Sequence, residues 1–216
     1  MDIKEFIEKD INNIWGKFNE YEFTNIPPLA IKEVFCENSI LFIGLNPSLS
    51  NNEFNRLNYN QVNQLEFYPN HRKIDKPHKY FNKFIEISKN TILEWDHLDL
   101  LYIRETKQSK ILDILKTKKG IDFIYQQLKI TKKIIEHLIE TERPKMFVVN
   151  NTLSRVFLGK DKNDWLGFNF RWDNEIGTYT YKNIPFFFSS MLTGQRALDI
   201  GSFERLVWHI NHIKNK

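Results

Sequence analysis

The stretch with the clearest chemical potential runs from Gly44 to Ser48 and reads Gly-Leu-Asn-Pro-Ser. Gly44 lets a backbone or a ligand approach closely, and Pro47 fixes its own φ angle and lacks an N–H group. Asn46 stands between them with a side-chain amide that can both donate and accept hydrogen bonds. Such a loop can hold a water molecule or a polar ligand in a defined position.

A second polar segment, residues 189–196, reads Ser-Ser-Met-Leu-Thr-Gly-Gln-Arg. Its hydroxyl, amide and guanidinium groups are donors suited to a negatively charged or strongly polar partner. They belong to Ser189, Ser190, Thr193, Gln195 and Arg196, and Gly194 can expose backbone N–H groups beside them. The segment is a candidate for substrate contact, although the same groups could equally anchor a loop.

Both segments follow short apolar runs that are typical of buried parallel strands. Residues 40–43 and 184–188 show no polar alternation, as expected for strands that are covered on both faces. The runs 98–103 and 146–149 have the same character. Ligands of open α/β sheets bind beyond the carboxyl ends of the strands, so we expect the two polar segments to form one pocket there.

Apolar residues at helical spacing occupy the intervals between these strands. The spacing predicts helices over residues 3–18, 80–88, 121–142, 152–158 and 202–213. The residues Asn150-Asn151-Thr152 are placed to begin the fourth of these helices, and Gly159 is placed to end it. Aromatic alternation between Gly and Asn turns predicts an edge hairpin over 165–181.

These elements predict one α/β domain over residues 1–216, with the N-terminal helix packed on it. The expected architecture is a three-layer α/β/α fold around a central, mainly parallel four-stranded sheet. A chain of 216 residues can bury a substantial core. No apolar run of eighteen residues and no apolar signal region occur, so we expect a cytoplasmic monomer without a membrane partner.

Composition limits the possible chemistry. Cys36 is the only cysteine, which excludes an intrachain disulfide, a cysteine zinc site and a cysteine-held iron–sulfur cluster. His209 and His212 are three residues apart, but two ligands without a carboxylate make a poor metal site. The net charge of +4 permits a polyanionic partner without requiring one.

The Gly44–Ser48 motif resembles the first motif of the uracil-DNA glycosylase superfamily, where a strand leads into Gly-x-Asn-Pro-Gly or Gly-x-Asp-Pro-Tyr. The Asn or Asp of that motif holds the attacking water, so the resemblance implies that Asn46 is the catalytic residue. It also implies that Gly44, Leu45, Pro47 and Ser48 border the base or the DNA. The strand–Asn–helix passage at 146–158 and the polar loop after the last strand extend the resemblance over about residues 35–210.

Further contacts are implied by position. The superfamily uses the end of the second strand to contact the base or the DNA; here Arg104 stands there, although it could instead form a surface ion pair with Glu105. An aromatic residue about a dozen positions after the first motif stacks on the extruded base. The candidates are Tyr59, Phe67 and Tyr68, and the sequence does not choose among them. They lie in an Asn-rich segment that mixes aromatic and basic residues, which suits either a nucleic-acid channel or a solvated basic loop.

The resemblance implies an enzyme without a cofactor that hydrolyses the N-glycosidic bond of uracil or another damaged base in single- or double-stranded DNA. One departure bears on activity, because the His or Asn of the second motif is absent at Ser189 and Ser190. The alternative is a catalytically silent relative that binds nucleic acid or a nucleotide. No Gly-x-Ser-x-Gly elbow, Walker loop or Gly-x-Gly-x-x-Gly fingerprint supports another α/β hydrolase or transferase family.

Overall fold

A computed structural model describes residues 2–35, 37–49, 64–141, 143–159, 165–194 and 197–216. The helices are α1 (Ile3–Lys17), α2 (Asn82–Thr91), α3 (Gln108–Ile114), α4 (Lys118–Thr141), α5 (Thr152–Leu158) and α6 (Ile200–Ile213). The strands are β1 (Leu29–Ile31), β2 (Ile40–Gly44), β3 (Glu66–Tyr68), β4 (Trp95–Asp99), β5 (Met146–Val149), β6 (Arg171–Asp173), β7 (Thr178–Tyr181) and β8 (Ile184–Phe188). No helix in the described part of the chain combines the length and apolar character needed to cross a bilayer.

Six strands form one sheet in the order β4-β2-β5-β8-β7-β6. The first four run parallel, whereas β7 pairs antiparallel with both β8 and β6. The α/β class and the mainly parallel sheet are therefore confirmed. The apolar runs at 40–43, 146–149 and 184–188 correspond to parallel strands, and the run at 98–103 overlaps the fourth one only in part. The β6–β7 hairpin extends the sheet at one edge to six strands. A separate pair, β1 with β3, was not predicted, because strands of three residues carry too little periodicity.

The two faces of the sheet bury different sets of apolar side chains, because successive residues of a strand point to opposite faces. On β2, Leu41 and Ile43 belong to the core that α1, α4 and α5 cover. Ile40 and Phe42 belong to the core that α2 and α6 cover. Apolar residues at every position of β2 are thus explained by helices on both faces.

Helix α1 buries one apolar stripe against the domain. Ile7, Ile11 and Trp15 are buried, and the Trp15 ring meets the Phe123 ring of α4 with centroids 5.0 Å apart. Phe6, which the helical spacing also places near the stripe, stays 41% exposed. The predicted caps of α5 are confirmed. Asn151 accepts hydrogen bonds at its Oδ1 from two backbone N–H groups, and Gly159 ends the helix with φ of 84°.

The second strand lies earlier in the chain than the apolar run suggested. It was predicted over 98–103, whereas β4 begins at Trp95 and ends at Asp99. The prediction was wrong because Asp96 and His97 interrupt the apolar pattern. Both are buried, and the Asp96 carboxylate is satisfied by N–H donors from Phe35, Asn70 and His97.

Ile92 follows α2 in the left-handed region, with φ of 56° and 87% of its surface exposed. This conformation costs a β-branched residue about 1–2 kcal/mol of conformational energy, whereas glycine adopts it freely. We expect Ile92→Gly to raise the free energy of unfolding by about 0.5–1 kcal/mol after the extra chain entropy of glycine is counted. Urea denaturation measures the change.

Ile200 supplies a matched control, because it is 79% exposed but lies at the start of helix α6. Ile200→Gly removes the same side chain without relieving left-handed strain, so it should bring no gain. Equal changes in the two variants would show that strain at Ile92 is not the cause.

Candidate functional site

Four residues form a row across the carboxyl ends of the parallel strands, and we call them the strand-end row: Asp99, Gly44, Asn150 and Ser189. Gly44 lies opposite Asp99 in the β2–β4 register. The Asn150 N–H donates to the Ile43 carbonyl at 3.1 Å, and the Ser189 N–H donates to the Val149 carbonyl at 2.9 Å. Strand alternation directs this row to the sheet face that α2 and α6 cover.

The position of Gly44 requires glycine because the Asp99 carboxylate occupies the space beside its Cα. A Cβ built on Gly44 would collide with Asp99 Oδ1 and would lie 3.7 Å from the Tyr80 hydroxyl. The missing side chain therefore lets a carboxylate and a phenol converge above the end of β2.

Asp99 is the titratable group of the row. Burial raises the pKa of its carboxyl from 3.8 to about 7, and among the described residues none donates a hydrogen bond to it. The residue as a whole is nevertheless partly exposed. Near neutral pH the carboxyl therefore exists in both protonation states and can donate as well as accept a hydrogen bond.

Asn150 and Tyr80 complete the polar surroundings. The Asn150 Nδ2 donates to the Tyr80 hydroxyl at 3.1 Å, and burial, followed by the Asp99 charge, raises the pKa of that hydroxyl. Asn150 is 3% exposed, yet its Oδ1 has no partner within the described part of the chain. An unsatisfied buried carbonyl costs about 1–3 kcal/mol, so this oxygen is a candidate acceptor for an N–H or O–H donor beyond the described residues.

Asn46 has one side-chain atom committed and one available. Its Nδ2 lies 2.7 Å from the Glu105 carbonyl, 2.9 Å from the Pro47 carbonyl and 3.2 Å from the Ile103 carbonyl. These contacts bind the loop after β2 to the segment after β4 and fix the orientation of the amide. The Oδ1 receives no hydrogen bond from any described residue, so it remains the acceptor for a water molecule or a ligand.

The rest of the first motif is mostly buried. Leu45 and Pro47 are buried, whereas Ser48 is exposed. The Leu45 carbonyl accepts the Leu101 N–H at 2.9 Å, and the Gly44 carbonyl accepts the Ser154 hydroxyl at 3.1 Å. The backbone of the motif is thus held on both sides, and only Ser48 and part of Asn46 face solvent.

The second polar segment lies at the same edge of the sheet as Gly44, and strand β5 lies between β2 and β8. The Ser189 hydroxyl donates to the Ser190 carbonyl at 2.8 Å, which engages it locally. Ser190 and Thr193 are partly exposed, and Gly194 is exposed with φ of 90°. Gln195 and Arg196 lie outside the described residues. β5 and the Asn150 side chain stand between the two segments, so they share an edge without direct contact among the described atoms.

The remaining predicted contacts lie in packed surroundings or outside the description. Phe67 and Tyr68 belong to β3 and pack on the core, and the Tyr68 hydroxyl lies 3.0 Å from His97 Nε2. Tyr59 lies outside the described residues. Arg104 is 5% exposed, and its ion pair is with Glu66 at 2.9 Å. The neighbouring Glu105, the alternative partner considered from the sequence, instead accepts the Lys107 N–H.

The histidine pair of α6 does not form a metal site. His209 Nε2 lies 2.6 Å from the Ile176 carbonyl, and the His212 ring stacks on Trp208 with centroids 5.2 Å apart. Within the ranges that the structure describes, no cluster of three or more His, Cys, Asp or Glu residues could hold a metal ion.

Sequence reasoning missed Asp99, Tyr80 and Asn150 as members of one site. Asp99 carried a signal, because it is a lone acid inside an otherwise apolar run. Asn150 was considered only within the strand–Asn–helix passage at 146–158, and Tyr80 only as the first residue of the helix predicted over 80–88. Their convergence depends on strand register, which the sequence does not display.

Comparison with known proteins identifies no relative of this chain. No protein-family model matches the sequence, and a search of curated proteins finds no match. The resemblance to the uracil-DNA glycosylase superfamily therefore rests on the motifs quoted above.

Replacing Asp99 by asparagine tests the burial of its charge. The folded-state pKa of about 7 lies above the usual 3.8, so the folded protein binds the extra proton and loses stability as pH rises through this window. We expect Asp99→Asn to stabilise the protein by about 2–4 kcal/mol at pH near 8, and the gain should vanish near pH 4. Denaturation of both proteins across this range measures it.

Asp96→Asn is the matched control on the same strand. Burial also raises the pKa of Asp96, to about 6, but its two oxygens accept from Phe35, Asn70 and His97. An amide would turn its NH₂ group toward one of these donors, so this variant should lose about 2 kcal/mol at pH near 8. Stabilisation by both substitutions would show that hydrogen bonding does not distinguish the two carboxylates.

Proposed function

We propose that the protein hydrolyses the N-glycosidic bond of uracil or another damaged base in DNA, with the base bound over Gly44 in the strand-end row. The observation that carries the proposal is the buried Oδ1 of Asn150, which no described residue pairs, in the same row as the Asp99 carboxyl. A ligand that presents an N–H group to Asn150 and a carbonyl group to Asp99 would satisfy both. The first motif adds Asn46, whose Oδ1 is available two residues after Gly44.

The polar atoms of the row match the edge of a nucleobase such as uracil. An imide N–H can donate to Asn150 Oδ1, and a neighbouring carbonyl oxygen can accept from the protonated Asp99 carboxyl. Because Gly44 has no side chain, the Asp99 carboxyl and the Tyr80 hydroxyl reach the end of β2, where the edge of a base would meet them. DNA would have to extrude the nucleotide for its base to reach this position.

Excision requires that the departing base carry negative charge. A neutral Asp99 carboxyl would donate a stronger hydrogen bond as that charge develops, whereas an ionised one would repel it. Burial keeps a substantial part of this carboxyl protonated near pH 7. Asn46 would position the attacking water through Oδ1, and since an amide is no general base, stabilisation of the leaving group would supply most of the catalysis.

A catalytically silent, nucleotide-binding protein is the second candidate. It is favoured by the hydrogen bonds that commit Asn46 Nδ2 and the Ser189 hydroxyl to backbone carbonyls. These contacts hold the two loops in place, and this structural role does not require that either residue take part in catalysis. The absent His or Asn at Ser189 and Ser190 points the same way.

Oligonucleotides containing uracil, hypoxanthine, xanthine or mismatched bases distinguish the two candidates when abasic-site formation is measured. We expect product from at least one of them, and a loss of about 100-fold in Asn46→Ala, because the water loses its positioning acceptor. Binding without product from any of these bases would favour the silent protein.

Thr106→Ala controls for loosening of the loop. The Thr106 hydroxyl donates to the Leu49 carbonyl at 2.7 Å, so it joins the same two segments as Asn46 without supplying the free Oδ1. This variant should retain most of the excision activity. An equal loss in both variants would assign the effect of Asn46 to loop anchoring.

The pH dependence of excision tests the role of Asp99. If the neutral carboxyl stabilises the departing base, the single-turnover rate should fall about tenfold per pH unit above the pKa of about 7. Asp99→Asn keeps an N–H donor that does not titrate, so its profile should be flat in this range. A wild-type rate that rises through pH 7 would contradict the assignment.

A further inference from the structure

Three titratable side chains that the proposed function leaves unused lie on or next to β3 and β4: Tyr68, His71 and His97. His97 lies on β4 and is 4% exposed, whereas Tyr68 ends β3. His71 begins the short 3₁₀ turn that follows β3, and it is partly exposed. The ring centroids of His71 and His97 lie 6.1 Å apart, so the three groups lead from the surface into the interior.

Each of the two histidines has a buried ring nitrogen without a partner. The Nε2 of His97 lies 3.0 Å from the Tyr68 hydroxyl. The Nδ1 of His97 has no hydrogen-bond partner among the described residues, and Asp96 Oδ1, at 3.8 Å, is beyond hydrogen-bond distance. The Nδ1 of His71 is buried and unpaired within the same part of the chain. Nearly all buried polar atoms are paired, so two such nitrogens in neighbouring rings require an explanation.

A small cavity joins Tyr68 to Asp99. Its volume is about 20 Å³, and a buried water molecule needs about 10–15 Å³ of such space. Among the described residues of its wall, Asp99, Tyr68 and Tyr102 are titratable and the others are apolar. Burial and, to a smaller extent, the Asp99 charge raise the pKa of both hydroxyls, which indicates that the carboxyl lies near them. A water molecule in this cavity therefore has polar partners of the number that a buried water requires.

We propose that His71, His97, Tyr68 and a water molecule in this cavity form a relay that carries protons between the solvent and the Asp99 carboxyl. The two histidine rings make no direct hydrogen bond, so a further water has to join their unpaired Nδ1 atoms. Tyr68 and His97 are positioning residues, because they act on the base only through Asp99.

The inference rests on the proposed function for the use of the proton. A base bound in the strand-end row would separate the Asp99 carboxyl from solvent on that side. A proton that Asp99 gives to the departing base would then be replaced through the relay, which approaches the carboxyl from β3 and not from the row.

The transfer conserves the number of protons on each group of the relay. The cavity water gives one proton to the Asp99 carboxylate and takes one from the Tyr68 hydroxyl. Tyr68 takes one from His97 Nε2, while His97 Nδ1 takes one from the side of His71, which receives it from solvent. His97 thereby changes from its Nε2–H to its Nδ1–H tautomer and stays neutral. Burial, followed by the His71 charge, lowers the pKa of His97 to about 3, so the neutral ring is the form present.

Asp99 is the group of this cluster that changes charge near neutral pH, because burial raises its pKa to about 7. Tyr68, Tyr80 and Tyr102 surround it with hydroxyls whose pKa burial raises, so they remain neutral. Burial raises the pKa of Asp96, on the same strand, to about 6, so Asp96 is mostly ionised above pH 7. The protonation of Asp99 can therefore be followed separately.

Carbon-13 NMR of the aspartate carboxyls tests the relay, with the Asp99 signal identified by its absence in Asp99→Asn. At the pKa of about 7, the wild-type protein should show one averaged signal for the protonated and ionised forms, because the relay exchanges protons rapidly. Tyr68→Phe keeps the ring and removes the hydroxyl, and His97→Gln keeps a hydrogen-bond partner for Tyr68 but passes no proton. Both variants should slow proton exchange at Asp99 about tenfold or more and split the signal, since exchange then waits for local opening.

Tyr102→Phe is the matched control. Tyr102 belongs to the same cavity wall, but its hydroxyl accepts a hydrogen bond from the Thr131 hydroxyl at 3.1 Å and is not on the route. Its removal leaves the cavity water Asp99 and Tyr68 as partners, so the Asp99 signal should stay averaged. An averaged signal in Tyr68→Phe or His97→Gln, splitting in all three variants, or a split signal in the wild-type protein would overturn the relay.

Failure of the relay can be told apart from failure of the proposed function, because the carboxyl signal is recorded without DNA. Averaged signals in Tyr68→Phe and His97→Gln, together with base excision by the wild-type protein, would reject the relay and keep the enzyme. Split signals in both variants, without excision of any base by the wild-type protein, would keep the relay and reject the enzyme.

Discussion

The absence of a side chain at Gly44 is the condition on which the candidate site depends. Parallel register places this residue between Asp99 on β4 and Asn150 after β5, on the face where Tyr80 reaches the sheet. The Cβ of any larger residue would collide with the Asp99 carboxylate. A carboxyl, a phenol and an amide can therefore converge here only because one strand ends without a side chain.

This convergence carries an energetic cost that the rest of the fold must offset. Among the described residues, the Asp99 carboxyl has no hydrogen-bond donor, and the buried carbonyl oxygen of Asn150 has no partner. Asp96, three residues earlier on the same strand, is buried as well but accepts hydrogen bonds from three N–H groups. The contrast makes Asp99 the candidate for a functional carboxyl, since unsatisfied buried groups concentrate at functional sites.

The same principle organises the loop that follows Gly44. The Asn46 N–H groups donate hydrogen bonds to backbone carbonyls of the segment after β4. These hydrogen bonds orient the amide before any ligand binds. Its oxygen receives no hydrogen bond from any described residue, so it is the atom of this side chain that is available to a ligand.

Features that depend on local chemistry or on hydrophobic periodicity could be predicted from the sequence. The apolar runs at 40–43, 146–149 and 184–188 correspond to parallel strands, because a strand covered on both faces needs apolar residues at every position. The ends of α5 were predictable as well, since Asn151 and Gly159 act on backbone groups within a few residues of themselves.

The tertiary structure alone decided which polar groups meet. The sequence places Arg104 next to Glu105, yet its ion pair is with Glu66, 38 residues away. Gly44, Asp99 and Asn150 likewise come from three separate strand ends, and only their parallel pairing sets them in one row. Composition and spacing fix which segments become strands and helices, but register is set by the packing of the whole core, and register determines the site.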